Sequence, residues 1–67
     1  MRDWTVFDGA GNPFYKRAFE VMIDEFGDLV GLDDSDQHLW SFAKGYWSAF
    51  HETHDKANVK AAVRVNN

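Results

Sequence analysis

No cysteine occurs among the 67 residues, and that absence excludes disulfides together with every thiolate-based zinc motif. The loss matters because a chain this short buries only roughly 60% of the surface it exposes when unfolded. Dense packing or self-association must take the place of the missing cross-links. No apolar run approaches the about 20 residues that a bilayer span requires. The opening MRDWTVFDGAG lacks the charged-then-apolar layout of a secretory leader. The expected compartment is therefore the cytoplasm, with no membrane partner. Also missing are a glycine-rich phosphate cradle, Ser, His and Asp in triad order, and a carboxylate pair set in a predicted cleft. The expectation is a protein without catalysis and without a cofactor.

Lysine and arginine are absent from residues 18 to 43, a window that holds Glu20, Asp24, Glu25, Asp28, Asp33, Asp34 and Asp36. The net charge is −4, yet the acidic excess is concentrated in about two fifths of the chain. A surface of one sign attracts a basic groove and repels nucleic acid. Asp33-Asp34-Ser35-Asp36 is not a calcium loop, since a glycine is required at the sixth position and a glutamate at the twelfth. Those positions hold His38 and Lys44.

What the chain has in plenty is aromatic side chains: three Trp, two Tyr and six Phe. Each can bury about 150 to 250 Å², enough to sustain one small globular domain over residues 1 to 67. Trp4-Thr5-Val6-Phe7 is a run of strand formers, and Asp8-Gly9-Ala10-Gly11-Asn12-Pro13 is a turn cluster. Asn12 and Pro13 suit an N-cap and first helical residue. Tyr15, Ala18, Phe19, Met22, Ile23 and Phe26 then recur at helical spacing over an arc of about 140°. Gly27 is placed as a stop. A second and stronger arc, about 160° wide, is made by Leu39, Trp40, Phe42, Ala43, Tyr46, Trp47, Phe50 and His54. Val59, Ala61, Val63 and Val65 alternate as in a half-buried strand.

The predicted class is α+β and helix-dominated. Two amphipathic helices, about 13–26 and 35–56, are flanked by short strands, about 4–7 and 59–65, that pair with each other. The alternative is an all-α chain whose second helix runs to about 64. No internal repeat and no low-complexity segment is visible.

Three groups of residues carry chemistry. His51 and His54 are about 60° apart on the predicted second helix, and Asp55 lies one turn after His51, so the three could share a metal ion. Against this, His-Glu-Thr-His lacks the i, i+4 spacing of a metalloprotease, and a structural zinc normally takes four ligands. Ser41, Gly45 and Ser48 form a stripe of small residues suited to close helix approach across a homodimer. The acidic window, with Asp24, Glu25, Asp28, Asp33, Asp34 and Asp36, and with Trp40 and Trp47 as aromatic anchors, suits docking onto a basic protein surface. A nucleic-acid-processing enzyme is one such partner, and the acidic face would then mimic nucleic acid. In style, though in no motif, the chain resembles small virus-encoded inhibitors of host enzymes. The expected function is a non-catalytic interaction protein that blocks or modulates a larger macromolecule. The alternatives are a helical homo-oligomerisation module and a histidine-based metal site.

Overall fold

The computed structural model describes residues 1 to 54, and those residues fold as six antiparallel strands joined by tight turns. Strand β1 spans Arg2–Asp8 and contains the expected strand-forming run. It is followed by β2 (Pro13–Ala18), β3 (Glu20–Ile23), β4 (Leu29–Leu32), β5 (His38–Phe42) and β6 (Trp47–Glu52). The strands form two three-stranded sheets, in the orders β2-β1-β6 and β3-β4-β5. Only Phe19 separates β2 from β3, so one sheet passes into the other at a corner, where the Phe19 amide donates to the Leu32 carbonyl at 2.8 Å.

Side chains two apart on a strand share a face, which puts Trp4 and Val6 on the same side of β1. Trp4 and Val6 of β1 face inward with Phe50 and Trp47 of β6, and Ala18, Val21 and Leu29 complete the core, with Trp40 and Phe42 packed against it. All three indole N–H groups find a backbone carbonyl. Trp4 donates to Ala18 at 3.1 Å, Trp40 to Arg17 at 2.9 Å and Trp47 to Gly27 at 3.1 Å. Buried rings are thus held in orientation as well as packed. Among the described residues no buried side-chain nitrogen or oxygen lacks a partner.

Three of the turns repeat one design. Asp8, Asp24 and Asp33 each open a three-residue hairpin loop, and each accepts two backbone N–H bonds on Oδ1. The donors are Ala10 and Asn12, then Phe26 and Asp28, then Ser35 and Gln37, at 2.8 to 2.9 Å. Three residues after each Asp the backbone is left-handed: Gly11 and Gly27 at φ 88°, and Asp36 at φ 62°. This is a type I turn closed by a bulge residue, a common three-residue hairpin connection. What recurs is loop geometry, not a sequence repeat. Its sequence trace is only an Asp followed three residues later by Gly or Asp. Replacing Asp33 by Ala is expected to cost about 1 to 2 kcal/mol, since two amides lose their acceptor. Asp34→Ala, at an exposed position with no such bond, should fall within about 0.5 kcal/mol of the parent. Urea midpoints of the two variants check the contrast.

Both predicted helices are overturned, and with them the α+β class and its all-α alternative. Residues 13 to 26 are β2, the Phe19 corner, β3 and the start of a turn, while the segment from 35 runs through β5, a turn and β6. The physical reason is that short strands broken by turns shift the phase of apolar alternation every few residues. The result imitates a 3.6-residue period. Leu39, Phe42, Tyr46 and Phe50 look like one helical face, but Leu39 and Tyr46 are exposed, Phe42 is half-buried and Phe50 is in the core. Gly45 sits at φ 89° in a turn closed by the Tyr46 amide on the Ala43 carbonyl. The predicted strand at 59–65 lies outside the described residues, and the observed neighbours of β1 are β2 and β6.

Candidate functional site

Hairpins send successive turns to opposite ends of a sheet, and this divides the acidic window. The turns after β1, β3 and β5 gather at one end. The turn after β4 and the Phe19 corner lie at the other, with Arg2 and Glu52. Asp24, Glu25 and Asp28 therefore stand at the first end and Asp33, Asp34 and Asp36 at the second, separated by β4. Four residues at about 3.3 Å each make about 13 Å, beyond the Debye length of about 8 Å at physiological salt. The carboxylates act as two clusters. Glu20 belongs to neither, being paired with Arg2 at 3.2 Å, and Arg2 also reaches Glu52 at 2.8 Å and lies over the Trp4 ring.

At the first end the three turns enclose a cleft of about 570 Å³. Gly9 belongs to the first turn, Ile23 to Gly27 to the second, Lys44 and Gly45 to the third, and Trp47 and Ser48 of β6 complete the lining. Gly45 is required by its backbone, at φ 89°, and not by crowding, since a Cβ there would meet nothing within 4 Å. Three bonds hold the walls in register. The Lys44 amide donates to Asp28 Oδ1 at 2.8 Å, the Trp47 indole donates to the Gly27 carbonyl, and Ser48 Oγ donates to the Asp8 carbonyl at 2.8 Å. The Lys44 side chain lies against Gly27, with its Cδ 3.0 Å from where a Cβ would stand.

The rim is apolar and charged at once. Of the lining residues, Phe26 is 71% exposed and Ile23 is 42% exposed. Large apolar groups held in water at a concave surface mark a binding site more often than a solvated loop. Among the described residues four carboxylates, Asp8, Asp24, Glu25 and Asp28, share this end with the single cation Lys44. Asp8 is held below the ordinary carboxylate value of 3.8, chiefly by the Asn12 amide N–H. The Asn12 side chain and the Ala10 and Gly11 amides assist, against an opposing desolvation effect. A carboxyl depressed in the folded state stabilises above its unfolded value and loses that contribution as pH falls through the lower folded value. The gap in urea midpoint between the parent and Asp8→Asn should accordingly be steady from pH 7 to 5 and close as pH drops below about 3.8. Parallel midpoints down to pH 2 would refute this.

The remaining candidates are dispersed. Trp47 is 4% exposed and forms the floor of the cleft, whereas Trp40 is half-buried on the inner face of the second sheet. Ser41 is on β5, Gly45 in a turn and Ser48 on β6, so the small-residue stripe has no common face and a helical homodimer seam is ruled out with the helix. His51 is buried beside Phe7, with ring centroids 5.8 Å apart, and His54 is exposed beyond β6. Asp55 lies outside the described residues, and among the described residues no three His, Asp or Glu side chains gather as a metal site. Among these residues no helix is long and apolar enough to cross a membrane.

Ile23, Phe26 and Lys44 were not singled out by the sequence as site residues. The one signal for Phe26 is an aromatic ring at the tip of an Asp-Glu-Phe-Gly-Asp turn, where solvent exposure serves no packing purpose. No family model matches the sequence, and no curated protein or solved structure is similar to it at a significant level.

Proposed function

We propose that this protein is a non-catalytic interaction module that holds an extended basic segment of a larger protein in the cleft between its turns. The single observation behind the proposal is the exposure of Phe26 and Ile23 on a concave site already braced by side-chain bonds. Preorganised walls reduce the entropy lost on binding, and an exposed aromatic supplies the anchor area. The carboxylate excess sets the sign of the partner and steers it. The proposal narrows the acidic docking inferred from composition to one end of the molecule and gives Phe26 the anchoring role.

The test is a titration of ¹⁵N-labelled protein with a degenerate mixture of octapeptides built from Arg, Lys and Leu, with a Glu/Leu mixture as the control. Amide shifts confined to residues 9, 23 to 27 and 44 to 48, with the basic mixture alone, are expected. Phe26→Ala should reduce binding by about tenfold or more, as for a hot-spot aromatic. Its stability should change by no more than about 0.5 kcal/mol, because the ring is exposed. Unchanged affinity in that variant refutes the anchor.

A further inference from the structure

We infer that the cleft selects arginine over lysine in its occupant, with the guanidinium stacked on Phe26 and paired with Glu25. This deepens the docking reading and rests on it. Phe26 and Glu25 are the two central residues of the second turn, and both line the cleft. Phe26 is 71% exposed, and its ring enters none of the aromatic pairs found among the described residues. The turn beneath them is rigid, because Asp24 Oδ1 receives the Phe26 and Asp28 amides at 2.9 Å each. The ring and the carboxylate are thus presented on a fixed backbone.

That arrangement distinguishes the two basic side chains by their chemistry. A guanidinium is planar, weakly hydrated and forked, so it can lie on a ring face while its edge donates to a carboxylate. An ammonium is compact and strongly hydrated, and gains less from a ring left open to solvent. Lys44, whose stem lies against Gly27 of the turn that carries Phe26, is the one cation among the lining residues.

The probes are two blocked octapeptides, one alternating Arg with Leu and the other Lys with Leu, titrated against the full chain and read by amide shifts. An exposed cation–π contact corresponds to a preference of about two- to fivefold for the arginine peptide. Phe26→Ala and Glu25→Gln should each bring that ratio to one, and the dispersed amide spectrum of each variant verifies folding. Equal affinity of the two peptides at the cleft overturns the arginine preference and leaves the docking reading standing. Failure of both to shift any cleft amide overturns both.

Discussion

Gly31→Ala is expected to destabilise the protein by about 2 to 4 kcal/mol, although it adds a single methyl group. A Cβ built on Gly31 would lie 2.2 Å from Cε2 of Trp40 and within 2.6 Å of two further indole atoms. The two residues are direct cross-strand neighbours on β4 and β5, and the indole lies across the bare glycine to reach the Arg17 carbonyl. Overpacking of this kind costs about 1 to 3 kcal/mol. The displaced indole also forfeits its hydrogen bond, adding about 1 kcal/mol. Backbone strain plays no part, since Gly31 is not in the left-handed region. Urea unfolding measures the loss, and a midpoint equal to the parent's would refute it. A double variant with Trp40→Leu separates clash from packing. If the ring is the obstacle, Gly31→Ala should cost far less when Trp40 has already been replaced by leucine, a coupling that a mutant cycle reports directly.

Trp47→Ala is expected to cost about 3 to 5 kcal/mol, in line with other buried tryptophan truncations. Small domains hold roughly 0.05 to 0.15 kcal/mol per residue in total, so a measurable unfolded fraction should appear without denaturant. The residue joins two roles: its ring packs edge-on against Phe50 at 6.0 Å, and its N–H fixes the Gly27 carbonyl of the turn that carries Phe26. Trp47→Phe tests the second role. It keeps most of the packing, loses the N–H bond, and should weaken peptide binding more than its loss of about 1 to 2 kcal/mol in stability would suggest. A Trp47→Ala variant as stable as the parent would remove Trp47 from the core, and unaltered binding by Trp47→Phe would detach the turn from the site.

The N-terminal strand and its turn were legible because both signals there are local. Trp4 to Phe7 favour extended backbone, and Asp8 to Pro13 hold nearly every turn former. The second turn has the same chemistry in Asp24, Gly27 and Asp28. Gly27, however, satisfies a helix stop and a hairpin bulge equally well, since both need a left-handed residue. Only tertiary pairing with β4 distinguishes them. The third loop is harder still, because Asp36 takes the left-handed place that glycine holds elsewhere. Gly45 was the clearest warning, as a mid-helix glycine costs about 1 kcal/mol. The cleft was illegible for a different reason: its lining comes from three turns brought together by sheet packing, and nothing in the local sequence ties Gly9 to Phe26 or Lys44.

Because β1 and β6 run antiparallel side by side, Met1 and His54 stand at the end of the described residues remote from Phe26. A fluorophore or resin attached at Met1 would leave the Phe26 turn pointing away from the attachment. Affinity at that surface can thus be measured on mounted protein without shielding it.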